Sequence, residues 1–191
     1  MSRSVVLVGE SSGVTLDANA DFSSPRRILL VAAGVSVEVH NLTLIHAYMH
    51  RGSDPGGGAV SNAGSLRMSG CTLSFNHAFS GAAIFSSGQL WLSQCHISSN
   101  NATLNAVLIV GAAASGGTAS AWVHDCQFEG NHAGAGAALG VVDFATTWVR
   151  NRDQPRSETL DPSPLPTTSD PHPAPPEPSG VRQHVPRERG R

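Results

Sequence analysis

A chain of 191 residues with a formal net charge of −2 has the length of one ordinary domain and lacks the basic balance of a nucleic-acid binder. Only 14% of its residues are charged, and its 12 Lys-plus-Arg positions are all Arg, scattered rather than clustered for phosphate or carboxylate recognition. No apolar run approaches the roughly 18 to 20 residues of a membrane-spanning helix, so no transmembrane segment is expected.

Val5 to Val8 are too few apolar residues for a secretory leader. The sequence enters strand-like composition almost at once, which reads as a domain incomplete at its N-terminus. Val14–Asp17 and Arg27–Val31 then look like strands of an early turn of structure, joined by a long corner around Phe22 to Pro25.

From there the chain repeats itself. Val37-Glu38-Val39-His40-Asn41-Leu42-Thr43-Leu44 is a loose first copy. Ser65 to Asn76 and Gln89 to Asn100 align with an offset of 24 at every position. Ala121 to Asn131 follows after 31, the extra seven residues falling on Gly111–Gly117. A strand of small residues lies between copies, and its Val60, Ile84 and Leu108 are again 24 apart, with Leu139 31 further on. Within each copy apolar residues alternate with period two, which excludes helices.

Three short strands per period, separated by Gly, Ser and Asn corners, predict an all-β parallel β-helix of about five rungs. A single rung cannot bury its inward side chains; stacked rungs bury them in columns. Four columns are apolar in every copy. They are Val37, Leu66, Leu90, Ala121; Val39, Met68, Leu92, Val123; Leu42, Cys71, Cys95, Cys126; and Leu44, Leu73, Ile97, Phe128. Val141 to Phe144 and Thr146 to Val149 would close or cap the last rung. The repeat domain is placed at 1–152. Residues 153–191 hold ten of the twelve prolines and are expected to form a disordered Pro-rich tail, since they cannot bury enough surface to offset their ordering entropy.

The Gly57-Gly58-Ala59-Val60 strand, with Leu73-Ser74-Phe75-Asn76, Ile97-Ser98-Ser99-Asn100 and Phe128-Glu129-Gly130-Asn131, resembles the repeats of polymorphic outer membrane proteins. Those repeats belong to the pectin-lyase-like right-handed β-helix group. Gly81-Ala82-Ala83-Ile84 and Gly136-Ala137-Ala138-Leu139 are degenerate versions of the first motif. The resemblance covers roughly residues 14 to 145. It implies a right-handed coil, an extracellular or cell-surface location, and adhesion to glycans or cell-surface proteins. The chain departs from that family plan in showing neither a barrel nor a signal peptide.

Most distinctive residues take structural readings. Asn76, Asn100 and Asn131 form a corner column whose amides can hydrogen-bond rung to rung, in a residue type that tolerates left-handed backbone. Cys71, Cys95 and Cys126 share one inward column; a reduced core ladder is favoured over a disulfide, and no paired spacing suggests zinc. His46 and His50 need not face one site, and His77 and His132, each following a corner Asn, should be exposed. No cofactor, metal or catalytic residue is assigned. Gly134 to Gly140 has the wrong spacing for a dinucleotide loop. Asn41-Leu42-Thr43 and Asn101-Ala102-Thr103 are formal glycosylation sequons that matter only on an exported eukaryotic chain.

One outward column, Glu38, Arg67, Trp91, Trp122, has no packing role and forms the candidate ligand surface. Arg67 can stack on Trp91, and the aromatic strip suits sugar stacking or protein docking, unless the Gly111–Gly117 insertion or the tail covers it. The carboxylates (Glu10, Asp17, Asp21, Glu38, Asp54, Asp125, Glu129, Asp143) are sparse and offer no two-carboxylate pair. The expected function is therefore a non-catalytic recognition or adhesion module. The alternatives are a polysaccharide lyase or hydrolase whose catalytic rungs are missing or degenerate, and a truncated product without independent function.

Overall fold

The computed structural model describes residues 3–10, 13–50, 56–111, 119–134, 138–142 and 146–150. The expected tail at 153–191 lies outside them, as do residues 112–117 of the insertion.

Every named strand pairs in parallel with its counterpart one turn away, and the chain coils as a parallel β-helix. The first rung holds β1 (Arg3–Val8), β2 (Val14–Asp17) and β3 (Leu29–Val31). The second holds β4 (Val35–His40), β5 (Leu42–Ile45), β6 (Tyr48–Met49) and β7 (Val60–Asn62). The third runs β8 (Ser65–Ser69), β9 (Thr72–Ser74), β10 (His77–Ala78) and β11 (Ile84–Ser86). The fourth runs β12 (Gln89–Ser93), β13 (His96–Ser98), β14 (Asn101–Ala102) and β15 (Leu108–Gly111). The fifth runs β16 (Ser120–His124), β17 (Gln127–Glu129), β18 (His132–Ala133) and β19 (Leu139–Val142), and β20 (Thr146–Arg150) begins a sixth. Stacking gives four sheets; the widest has the order β1-β4-β8-β12-β16-β20.

Register follows the sequence repeat. Leu66 pairs with Leu90 and Leu90 with Ala121, Met68 with Leu92 and Leu92 with Val123. Leu73 pairs with Ile97 and Ile97 with Phe128. Leu66, Leu73, Leu90, Leu92 and Ile97 are at most 1% exposed. The seven extra residues of the fifth rung leave this register unchanged, as an insertion confined to one corner must. The small-residue segments are small because their backbones lie against one another. The Gly58 N–H donates to the Gly81 carbonyl (3.0 Å) and the Ala59 N–H to the Ala82 carbonyl (3.2 Å). A Cβ on Gly58 would meet the Ala82 oxygen at 2.1 Å.

Two features differ from the sequence expectation. Each of rungs two to five carries a fourth, two-residue strand after the Asn corner, too short to show a period. The left-handed backbone also sits one residue before the Asn column: His46, Phe75, Ser99 and Gly130 have φ between 54° and 58°. The turn residue points outward, which frees the following Asn to point into the core. A second left-handed column, Asn41, Gly70, Gln94 and Asp125, precedes the cysteine column.

The buried amides form the expected ladder. Asn76 Nδ2 donates to Asn100 Oδ1 (3.0 Å), and Asn100 Nδ2 donates to Asn131 Oδ1 (3.1 Å). The same oxygens accept from the backbone N–H groups of Asn76 and Asn100, both at 3.0 Å. Asn100 Nδ2 also reaches the Leu73 carbonyl (2.9 Å). A second inward polar contact, unnoticed in the sequence, joins Asn62 Nδ2 to Ser86 Oγ at 2.9 Å.

Replacing Asn100 by Ala orphans the Asn76 N–H and the Leu73 carbonyl. Each such buried group costs about 1–3 kcal/mol, so Asn100→Ala should lower unfolding free energy by about 2–6 kcal/mol. Asn131→Ala, at the half-buried end of the ladder, should cost less. Urea unfolding of the two variants checks the order.

Candidate functional site

The outer face of the widest sheet carries a stacked column of long side chains. Inward residues occupy alternate positions, so the residues between them stack outside. One outward column reads Val6, Glu38, Arg67, Trp91 and Trp122 in strict register, and the backbone pairing continues it to position 148. The sequence reading found the middle four. It missed Trp148, whose offset from Trp122 is 26 and so falls off the 24-residue repeat.

Identical side chains on in-register parallel strands can adopt one rotamer and stack. The Trp91 and Trp122 rings lie 4.7 Å apart with planes inclined by 4°. The Arg67 guanidinium carbon stands 4.3 Å from the Trp91 ring centre. Arg67 belongs to the rung before and Trp122 to the rung after, so both faces of Trp91 are covered. What Trp91 turns outward is therefore ring edge, beside the Arg67 guanidinium. Arg67 is exposed, and the two indoles are half-buried. The residues expected to cover the strip, in the Gly111–Gly117 insertion and the tail, fall largely outside the described residues.

Polar columns flank the ladder. Ser36, Ser65, Gln89 and Ser120 run along one side, and His40, Ser69, Ser93 and His124 along the other. His40 Nδ1 shares a 2.6 Å hydrogen bond with Ser69 Oγ, while its Nε2 lies 3.5 Å from Glu38.

Among the described residues the carboxylates do not converge; four of them face histidines in different places. Asp17 lies 3.1 Å from His46, Glu129 3.5 Å from His96, Asp125 3.2 Å from His124, and Glu38 faces His40. The Asn19 N–H holds the Asp17 carboxyl below its ordinary range, and His46 adds to the effect. A shallow groove of about 340 Å³ lined by Gly9, Glu10, Asn41, Thr43, Gly70 and Thr72 contains one carboxylate, Glu10. Among the described residues, no three His, Cys, Asp or Glu side chains surround a common point.

Cys71, Cys95 and Cys126 stand as free thiols in the inward column predicted for them. Cys71 and Cys95 are buried, and Cys126 is half-buried. His77 corrects the expectation of exposure: it is half-buried, stacked on Tyr48 with centroids 4.5 Å apart. His132 is exposed as expected. Phe22, 73% exposed, rests against Tyr48 and His50 and extends this second aromatic cluster. No periodic signal pointed to that cluster, because Phe22 comes from the long first-rung loop.

Residues 1–153 match the family model described as a right handed beta helix region. No curated protein and no solved structure matches the chain.

Two outcomes are expected. The stacked indoles should give a coupled far-ultraviolet circular dichroism signal that Trp91→Phe removes while leaving the β signal in place. Burial lowers the His77 pKa from its ordinary 6.5, so the unfolded chain binds that proton more tightly. The stability tied to neutral His77 is then present above about pH 6.5 and lost as pH falls through the lower folded pKa. His77→Phe should flatten that part of the stability profile, measured by urea titration across pH 4.5 to 8.

Proposed function

We propose, for a chain that belongs to the right-handed β-helix family, that the solenoid is a non-catalytic recognition module that docks a protein partner on the outer face of its widest sheet. The observation that carries this reading is the Arg67–Trp91–Trp122 ladder. Stacked Trp and Arg supply large, stiff contact area of the kind that concentrates binding energy at protein interfaces. A sugar ring binds aromatic side chains through their faces, and both faces of Trp91 are already used, which favours a protein over a glycan. The flanking Ser, Gln and His columns supply a polar rim.

The repeat resemblance to polymorphic outer membrane proteins supports an adhesive role at a cell surface. Among the described residues Asp17, Glu38, Asp125 and Glu129 each face a histidine rather than a second acid, which weighs against the paired acids of a hydrolase.

The test is binding of labelled protein to a panel of cultured cells, before and after protease or glycosidase treatment. Binding should survive deglycosylation, vanish after protease shaving, and fall at least tenfold with Trp91→Ala/Trp122→Ala. Undiminished binding by the double variant overturns the reading. So does formation of unsaturated uronates from pectic polymers, assayed with and without Ca²⁺.

A further inference from the structure

Phe75 carries two penalties that the fold does not require of it. It is a bulky residue held in the left-handed region, at φ 55°, a conformation that side chains of its size rarely adopt. Its ring is also 61% exposed, so the strain does not serve burial. The equivalent corner positions show less strained choices. They are Ser99 in the fourth rung and, in the fifth, Gly130, which has no Cβ to clash. Strain at an exposed position is a pointer to function, since it persists where a side chain is held for something outside the core.

The neighbours of the ring narrow what that is. Ser74 pairs with Ser98 and His77 with Asn101, which sets Phe75 beneath Ser99. On its other side lies His46, with ring centroids 6.0 Å apart and planes inclined by 37°. One face of the phenyl ring is therefore backed by imidazole, and the other looks toward a rung whose corner residue is small. Ser99 and Asn101 are exposed, on the outward side of a corner whose Asn100 is buried. Among the described residues, neither the Ser99 hydroxyl nor the Asn101 side-chain amide has a hydrogen-bond partner.

An open aromatic face beside an unused hydroxyl and amide suits a carbohydrate. The C–H face of a pyranose stacks on a ring, and its hydroxyls need both donors and acceptors, which Ser and Asn side chains supply together. Trp91 cannot serve in this way, because both of its faces are covered. Charge narrows the class further. Neither outward row at this corner holds an Arg, and the adjoining carboxylates, Asp17 and Glu129, are turned to His46 and His96. A uronate would meet no fixed positive charge here. We propose that this corner of the third and fourth rungs binds a neutral sugar unit, with Phe75 as its stacking face and Ser99 and Asn101 as its hydrogen-bonding side chains. A contact of one sugar ring is small, so the site adds to docking on the outer face and does not replace it.

The experiment is NMR titration of the full, isotope-labelled chain with cellohexaose, laminarihexaose and mannohexaose, and with an oligogalacturonate as the anionic control. At least one neutral oligosaccharide should give saturable shifts at Phe75, Ser99 and Asn101. Phe75→Gly and Asn101→Ala should each weaken that binding by about tenfold. Urea unfolding separates such a loss from damage to the fold. Phe75→Gly removes the ring and the strain together, so its unfolding midpoint should stay level or rise. A clear fall would make the ring a packing element and overturn the site. Lack of saturable binding by all three neutral sugars, tighter binding of the oligogalacturonate, or full binding by Phe75→Gly would each do the same. No partner protein enters the measurement, so its outcome is independent of docking on the outer face.

Discussion

Everything in this molecule depends on parallel pairing in register. Each strand lies over the equivalent strand of the next rung, from Val37 over Leu66 to Ala121 under Thr147. Whatever side chain the repeat carries is thus placed against a near copy of itself about 4.8 Å away. Apolar residues gain from this, as do amides, which are both donor and acceptor and can chain without limit. Like charges lose, since directly opposed charges repel. That rule accounts for a composition with only 14% charged residues. It also accounts for Glu38 and Arg67, of opposite sign, occupying successive places in one outward column.

The corners show the same constraint acting on the backbone. A rung must turn sharply between short strands, and it does so with single left-handed residues, including Phe75 at φ 55° and Gln94 at φ 53°. Non-glycine residues reach that conformation at about 1–2 kcal/mol each. The cost is offset because the turn sets an Asn or Cys inward immediately afterwards, where it bonds along its column. Gly70 (φ 62°) is the one glycine of its corner column, and a Cβ there would meet Asn41 Oδ1 at 2.5 Å. Strain and ladder are therefore two parts of one device.

Legibility from sequence followed periodicity. The inward columns, the Asn ladder and the Arg67–Trp91–Trp122 strip were readable because their members recur at fixed offsets and a period of two assigns each a side of the sheet. The two-residue strands such as His77–Ala78 were not readable, because two residues carry no period. The left-handed position was misassigned to the Asn itself, whose intrinsic tolerance for that conformation masked the need for its amide to face inward. Trp148 was lost when the spacing changed to 26. Phe22 and Tyr48 meet only because a long loop returns to an antiparallel bridge between Arg26 and Tyr48, a tertiary contact with no local signature.

Stacking also bears on how the outer face would engage a partner. A free Trp or Arg side chain loses rotamer entropy on binding, about 0.5–1.5 kcal/mol for each residue immobilised. In the ladder that entropy is already lost, because Trp91 is held between Arg67 and Trp122. The same contacts that remove the ring faces from use also fix the ring edges in place. A surface of this kind favours a partner that matches a rigid, linear row of edges and guanidinium. It disfavours a ligand that must slide between rings, since separating Trp91 from Trp122 would give up their stacking, worth about 0.5–1.5 kcal/mol beyond burial. In the proposed docking role the ladder would supply selectivity as well as contact: its stiffness would reward shape match along the solenoid axis and penalise insertion across it.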